Sequence, residues 1–72
     1  MHYKVIRRFY HNEDMAEAIL YSGKKFAEAL RVLDKEHDLM LEQEKFNNAM
    51  KVKESLSLWC VEEKEILSRW ES

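Results

Sequence analysis

Residues 12–36 read NEDMAEAILYSGKKFAEALRVLDKE, and how this stretch is read decides the fold. Met15, Ile19, Ser22, Phe26, Ala29 and Leu33, with Ala18 and Leu30 beside them, recur at the 4-3-4-3-4 spacing of one α-helical face. Asn12 can accept from a free backbone N–H, and Glu13 and Asp14 suit the positive end of a helix dipole. The pattern therefore predicts a helix from near Glu13 to about Glu36. Gly23 interrupts it at a cost of about 1 kcal/mol relative to alanine. If the helix breaks there, Ser22 caps a second helix holding Phe26, Ala29, Leu30 and Leu33, and residues 15–21 are left short or irregular.

Upstream, residues 3–10 (YKVIRRFY) are rich in aromatic and β-branched types, as a strand is. Tyr3, Val5 and Phe9 share one face with Arg7 intruding, while Lys4, Ile6, Arg8 and Tyr10 make the other. Downstream the pattern has two readings. A helical stripe can be drawn from Leu39 through Phe46, Ala49, Met50 and Lys53, and Leu56, Trp59, Cys60, Glu63, Ile66, Leu67 and Trp70 also suit one helical face. Yet Met50, Val52, Leu56, Leu58 and Cys60 all fall on even positions with Glu54 the one exception, which is strand periodicity. A carboxy-terminal hairpin is preferred, with residues 55–61 and 66–70 as strands joined through Glu62-Glu63-Lys64-Glu65, because the amino-terminal strand needs a partner. The expected fold is α+β: an amino-terminal strand, one long or broken helix, a middle segment of either kind, and a hairpin. An all-α helical hairpin or bundle is the alternative.

No linker, repeat or low-complexity stretch divides the 72 residues, so one domain over 1–72 is expected. Apolar residues at 46% and charged residues at 36%, with one glycine and no proline, favour an ordered globule over disorder. A core of this size rarely supplies more than about 3–5 kcal/mol of net stability. Cys60 is the only cysteine, so no disulfide within the chain supplements it, and a homodimer is expected. Lys4, Arg7 and Arg8 interrupt any secretory pattern at the start, and no window approaches the roughly 20 apolar residues of a membrane span. A cytoplasmic location follows by default.

Few residues form a pattern that carries chemistry. His2, His11, His37 and Cys60 match no zinc-ligand spacing. Cys60 lies between Trp59 and Val61, where a thiolate is poorly stabilised, and reads as a small buried hydrophobe. Ser22-Gly23-Lys24-Lys25 lacks the earlier glycine and the later hydroxyl of a phosphate loop. Asp34, Glu36 and Asp38 read as a solvated turn without the apolar surroundings that raise a carboxyl pKa for acid catalysis. No catalytic residue, cofactor or metal is expected, and the chain reads as a binding protein and not an enzyme.

Charge is uneven along the chain: of a net −2, residues 1–12 hold Lys4, Arg7 and Arg8 and no acid. A basic strand before helices is the order of a ribbon-helix-helix repressor, in which Lys4, Ile6 and Arg8 would enter the major groove from a two-stranded ribbon. The alternative use of these basic residues is to protect an edge strand from aggregation. Acidic runs of the length a DNA mimic needs are missing, since Glu36-His37-Asp38 and Glu62-Glu63-Lys64-Glu65 are both broken. Aromatic residues and arginine are favoured interface anchors. Trp70 beside Arg69 is the first candidate, with core filling as its alternative, and Tyr10, Arg7 and Arg8 complete the candidate partner-binding set. Trp59, inside the longest apolar run, is expected in the core.

In general style, dense mixed charge without a cofactor motif resembles the small proteins that bacteriophages and mobile elements encode, many of which bind and inhibit one host enzyme. No motif carries that likeness. The leading expectation is a non-catalytic protein-binding module, a phage-type modulator of a host protein, with nucleic-acid-handling enzymes among the candidate hosts. A small dimeric DNA-binding regulator and a self-assembling structural subunit are the alternatives.

Overall fold

The computed structural model describes residues 1–71. Four strands and two helices follow in the order β1 Tyr3–His11, β2 Asp14–Gly23, α1 Phe26–Glu42, α2 Glu44–Ala49, β3 Lys53–Cys60 and β4 Glu65–Glu71. The strands form one antiparallel sheet in the order β2-β1-β3-β4, so the fold is α+β and the all-α alternative is set aside.

The long helix predicted from Glu13 does not form. Its first half is strand β2, and only the part beyond Gly23 is helical, starting at Phe26 after Lys25, without a side-chain cap. Asn12 caps no helix. It takes φ 57° in the two-residue turn between His11 and Asp14, a left-handed conformation that asparagine tolerates better than most residues. The middle segment is helical as far as Ala49, and the hairpin forms close to where it was expected.

Strand β1 is central, with β2 on one edge and β3 on the other. Edge protection by Lys4, Arg7 and Arg8 is therefore ruled out. So is a ribbon that β1 would share with a second chain, because both its hydrogen-bonding edges are taken.

α1 covers one face of the sheet. Val5 from β1, Leu56 and Leu58 from β3, and Ala29, Leu33 and Met40 from α1 form the buried cluster, with Tyr3, Leu20, Tyr21, Val32 and Trp70 packed against it. On β3 the even positions Glu54, Leu56, Leu58 and Cys60 all point inward and are 3% exposed or less. Cys60 is buried as read. Trp70 takes the core-filling alternative, and Trp59 leaves the core expected for it. Trp70 sits opposite Leu56 and meets His37 edge-on at 5.1 Å, while Trp59 lies on the other face of the sheet.

The corner between β2 and α1 depends on close approach. The Tyr21 hydroxyl accepts from the Lys25 N–H and lies 3.2 Å from the Lys25 carbonyl, and a Cβ at Gly23 would stand 2.6 Å from that hydroxyl. Gly23→Ala is expected to cost about 1 kcal/mol by displacing this staple. In a Tyr21→Phe background the same change should cost clearly less, and urea melts of the four proteins in the cycle check this.

Candidate functional site

The two polar exceptions to the strand patterns meet each other under α1. Arg7 interrupts the inward row Tyr3, Val5, Phe9, and Glu54 interrupts the inward row of β3. Register puts Glu54 opposite Phe9, one inward step from Arg7. The Arg7 guanidinium donates to Glu54 at 2.8 Å, to Glu36 of α1 at 2.6 Å and to Gln43 at 3.2 Å, and lies 4.5 Å from the Phe9 ring centre. Side-chain exposures of 13% for Arg7 and 2% for Glu54 make this an internal ionic link between helix and sheet. Arg7, a candidate for partner binding, is thus engaged within the fold, and Trp70 is seated on the core.

The opposite face has no helix over it. Residues directly opposed in a sheet share a face, so register defines its surface. β1 contributes Lys4, Ile6, Arg8 and Tyr10, and β3 contributes Lys53, Ser55, Ser57 and Trp59. β2 adds Met15, Glu17 and Ile19, and β4 adds Ile66, Arg69 and Glu71. Three of the candidate partner-binding residues, Arg8, Tyr10 and Arg69, are therefore brought to one face.

Bulges shape this surface. The register shift between Val5 and Ile6 leaves Leu20 as an extra residue, so Tyr21 faces the helix while Ile19 faces outward. A matching shift at Leu67 turns Ile66 outward and Ser68 inward. Without these bulges neither isoleucine would share the face of Trp59. Met15 and Ile19 are more than half exposed, at 56% and 55%. Ile19 lies directly opposite Ile6, and exposed aliphatic side chains that adjoin in a sheet mark an interaction surface better than scattered ones do.

Charge on this face is mainly positive. Arg8 is paired with Glu17 at 2.6 Å, which holds its guanidinium still more firmly protonated, and Arg69 is paired with Glu71. Lys4, Lys53 and Lys64 form no ion pair among the described residues. The helical segment 26–49 is the reverse, with Glu28, Asp34, Glu36, Asp38, Glu42 and Glu44 against Arg31, Lys35 and Lys45. A modest net charge thus hides a polarised molecule.

At one end of the open face lies a hollow of about 240 Å³ lined by Lys4, Ile6, Arg8, Trp59, Val61 and Lys64. Trp59 sits opposite Lys4, and its indole N–H donates to Ser57 Oγ at 2.8 Å, so the ring leans along β3 and covers Ser57. No carboxylate lines the hollow.

The chain start is fastened beside it. The His2 N–H donates to both Glu62 carboxylate oxygens at 2.8 Å, Val61 N–H donates to the His2 carbonyl at 2.9 Å, and His2 Nε2 lies 2.7 Å from Ser22 Oγ. The His2 amide, followed by Glu62's own, holds the Glu62 carboxyl below its ordinary range. A depressed carboxylate contributes above the ordinary carboxylate range and loses that contribution as pH falls through its lowered folded value. On acidification the His2 amide signal should therefore move together with the Glu62 carboxyl, below the ordinary carboxylate range. Two-dimensional NMR titration reads both.

Among the described residues no three histidine, cysteine or acidic side chains gather as metal ligands, and no helix is long and apolar enough to cross a membrane. No protein-family model matches this chain, and no curated protein or solved structure matches it either. Function therefore rests on the chemistry of the site alone.

Proposed function

We propose that the chain is a non-catalytic protein-binding module that works through the uncovered face of its sheet. The observation that carries this reading is the band of outward aliphatic and aromatic side chains, Ile19, Ile6, Trp59 and Ile66, which crosses all four strands with cations interspersed. An apolar band with a charged surround is the anatomy of a protein interface. A platform for single-stranded nucleic acid relies instead on aromatic rings that stack on bases, and here most of the band is aliphatic. The anionic helical layer turns away from this surface, leaving the open face to select a partner with negative charge.

The test is affinity capture from bacterial lysate treated with nuclease. The protein should retain one stoichiometric protein partner. Ile19→Glu, at an exposed position of the open face, should abolish retention without changing the melting temperature, and Phe46→Glu, at an exposed position of α2, should leave it intact. Capture that disappears with nuclease treatment, or that is lost through Phe46 but not through Ile19, contradicts the proposal.

A further inference from the structure

We infer that the hollow beside Trp59 receives one apolar side chain from an extended, acidic segment of the partner protein, with carboxylates on either side of that side chain paired to Lys4 and Lys64. This rests on the open face being the working surface, and it adds the chemistry of what binds there.

Three observations converge on it. Ile6, Val61 and Trp59 supply an apolar part of the hollow's lining, and its volume of about 240 Å³ suits a side chain and not a domain. Lys4, Arg8 and Lys64 complete the lining, with no acid among the lining residues. Arg8 is already paired with Glu17, whereas Lys4 and Lys64 form no ion pair among the described residues. The two lysines come from different elements: Lys4 lies on β1 across from Trp59, and Lys64 is in the turn that follows β3. In an extended peptide, residues i−2, i and i+2 point the same way at about 6.6 Å intervals, so a central apolar residue and two flanking carboxylates reach one surface together. Charge complementarity of this kind sets partner choice and encounter rate more than total affinity.

A second copy of this chain would bring its own Lys4, Arg8 and Lys64 against the same cations if the two open faces met. Like charges so placed oppose the contact. A nucleic-acid strand would meet the cations favourably but would find at the hollow only Trp59 to stack on, leaving Ile6 and Val61 without a role.

The experiment uses the full chain with Trp70→Phe, so that Trp59 alone reports. The probe is a blocked peptide with glutamate, leucine and glutamate at alternate positions and serine between them. It should change Trp59 emission saturably and bind more weakly as salt is raised. Lys4→Glu with Lys64→Glu should weaken it about tenfold or more. The same peptide with lysine in place of glutamate should not bind. Binding of oligothymidylate in preference to the acidic peptide overturns the inference in favour of a nucleic acid. Concentration-dependent self-association that buries Trp59 overturns it in favour of a second copy. No response, or equal response to both peptides, overturns the acidic-segment chemistry. If Ile19→Glu still abolishes capture of a protein partner in that case, the open face stands as the working surface and only the ligand chemistry falls.

Discussion

Arg7→Met should cost about 3–5 kcal/mol of folding free energy, enough to leave much of a chain this small unfolded. The methionine spans a similar length, so the loss is not one of volume. What is removed is the guanidinium that bridges Glu54 and Glu36, and Glu54, with 2% of its side chain exposed, cannot replace it with bulk water. The paired change Arg7→Met with Glu54→Leu should recover most of that loss, because a buried pair can be exchanged for apolar groups at little net cost while breaking it is expensive. Urea unfolding followed by circular dichroism measures both. A single variant within 1 kcal/mol of the parent, or a double variant no better than the single, contradicts the ionic link described above.

Leu56→Ala is the second large effect, with an expected cost of about 2–5 kcal/mol. Leu56 is fully buried, opposite Arg7 on β1 and Trp70 on β4, where β3 passes beneath the helix. Neighbouring strands are held by backbone hydrogen bonds and cannot close on the space left behind. Each kcal/mol lowers the melting temperature of a domain this size by roughly 4–8 °C, so calorimetry should show a fall too large for a surface substitution. The comparison is Leu67→Ala, at an exposed bulge position of β4, which should change the melting temperature little.

The hairpin of β3 and β4 was legible because Leu56, Leu58 and Cys60 keep one parity. Strand β1 was legible because its residue types are those of a strand. The exceptions in those two rows were also informative: Arg7 and Glu54 are opposite charges in rows that face the same way, and that pairing could have been inferred from the sequence once the strands were set side by side. Strand β2 was misread for a physical reason. Its bulge at Leu20 puts Ile19 and Tyr21 on opposite faces, which destroys the two-residue period and leaves a spacing that continues into the true helical stripe of Phe26, Ala29 and Leu33. Ala16, Glu17 and Ala18 are also better helix formers than strand formers, and pairing with β1 overrides that preference.

The candidate site was half legible. The outward row Lys4, Ile6, Arg8, Tyr10 was correctly grouped from alternation alone. What it faces was not, since the sequence does not say which side of a sheet its helix will cover. The longest apolar run points Trp59 to the core, yet its odd position among even buried neighbours sets it on the other face. Lys64, in the turn after β3, had no pattern to identify it.

Fluorine NMR of the fluorotryptophan-labelled protein, bound to the partner recovered by capture, tests the open face most directly, since the two tryptophans report from opposite sides of the sheet. The Trp59 signal should shift and lose its solvent isotope effect in the complex, while the Trp70 signal stays close to its free position. A complex in which Trp70 responds and Trp59 does not, or the failure of any protein complex to form, would contradict the uncovered face as the working surface.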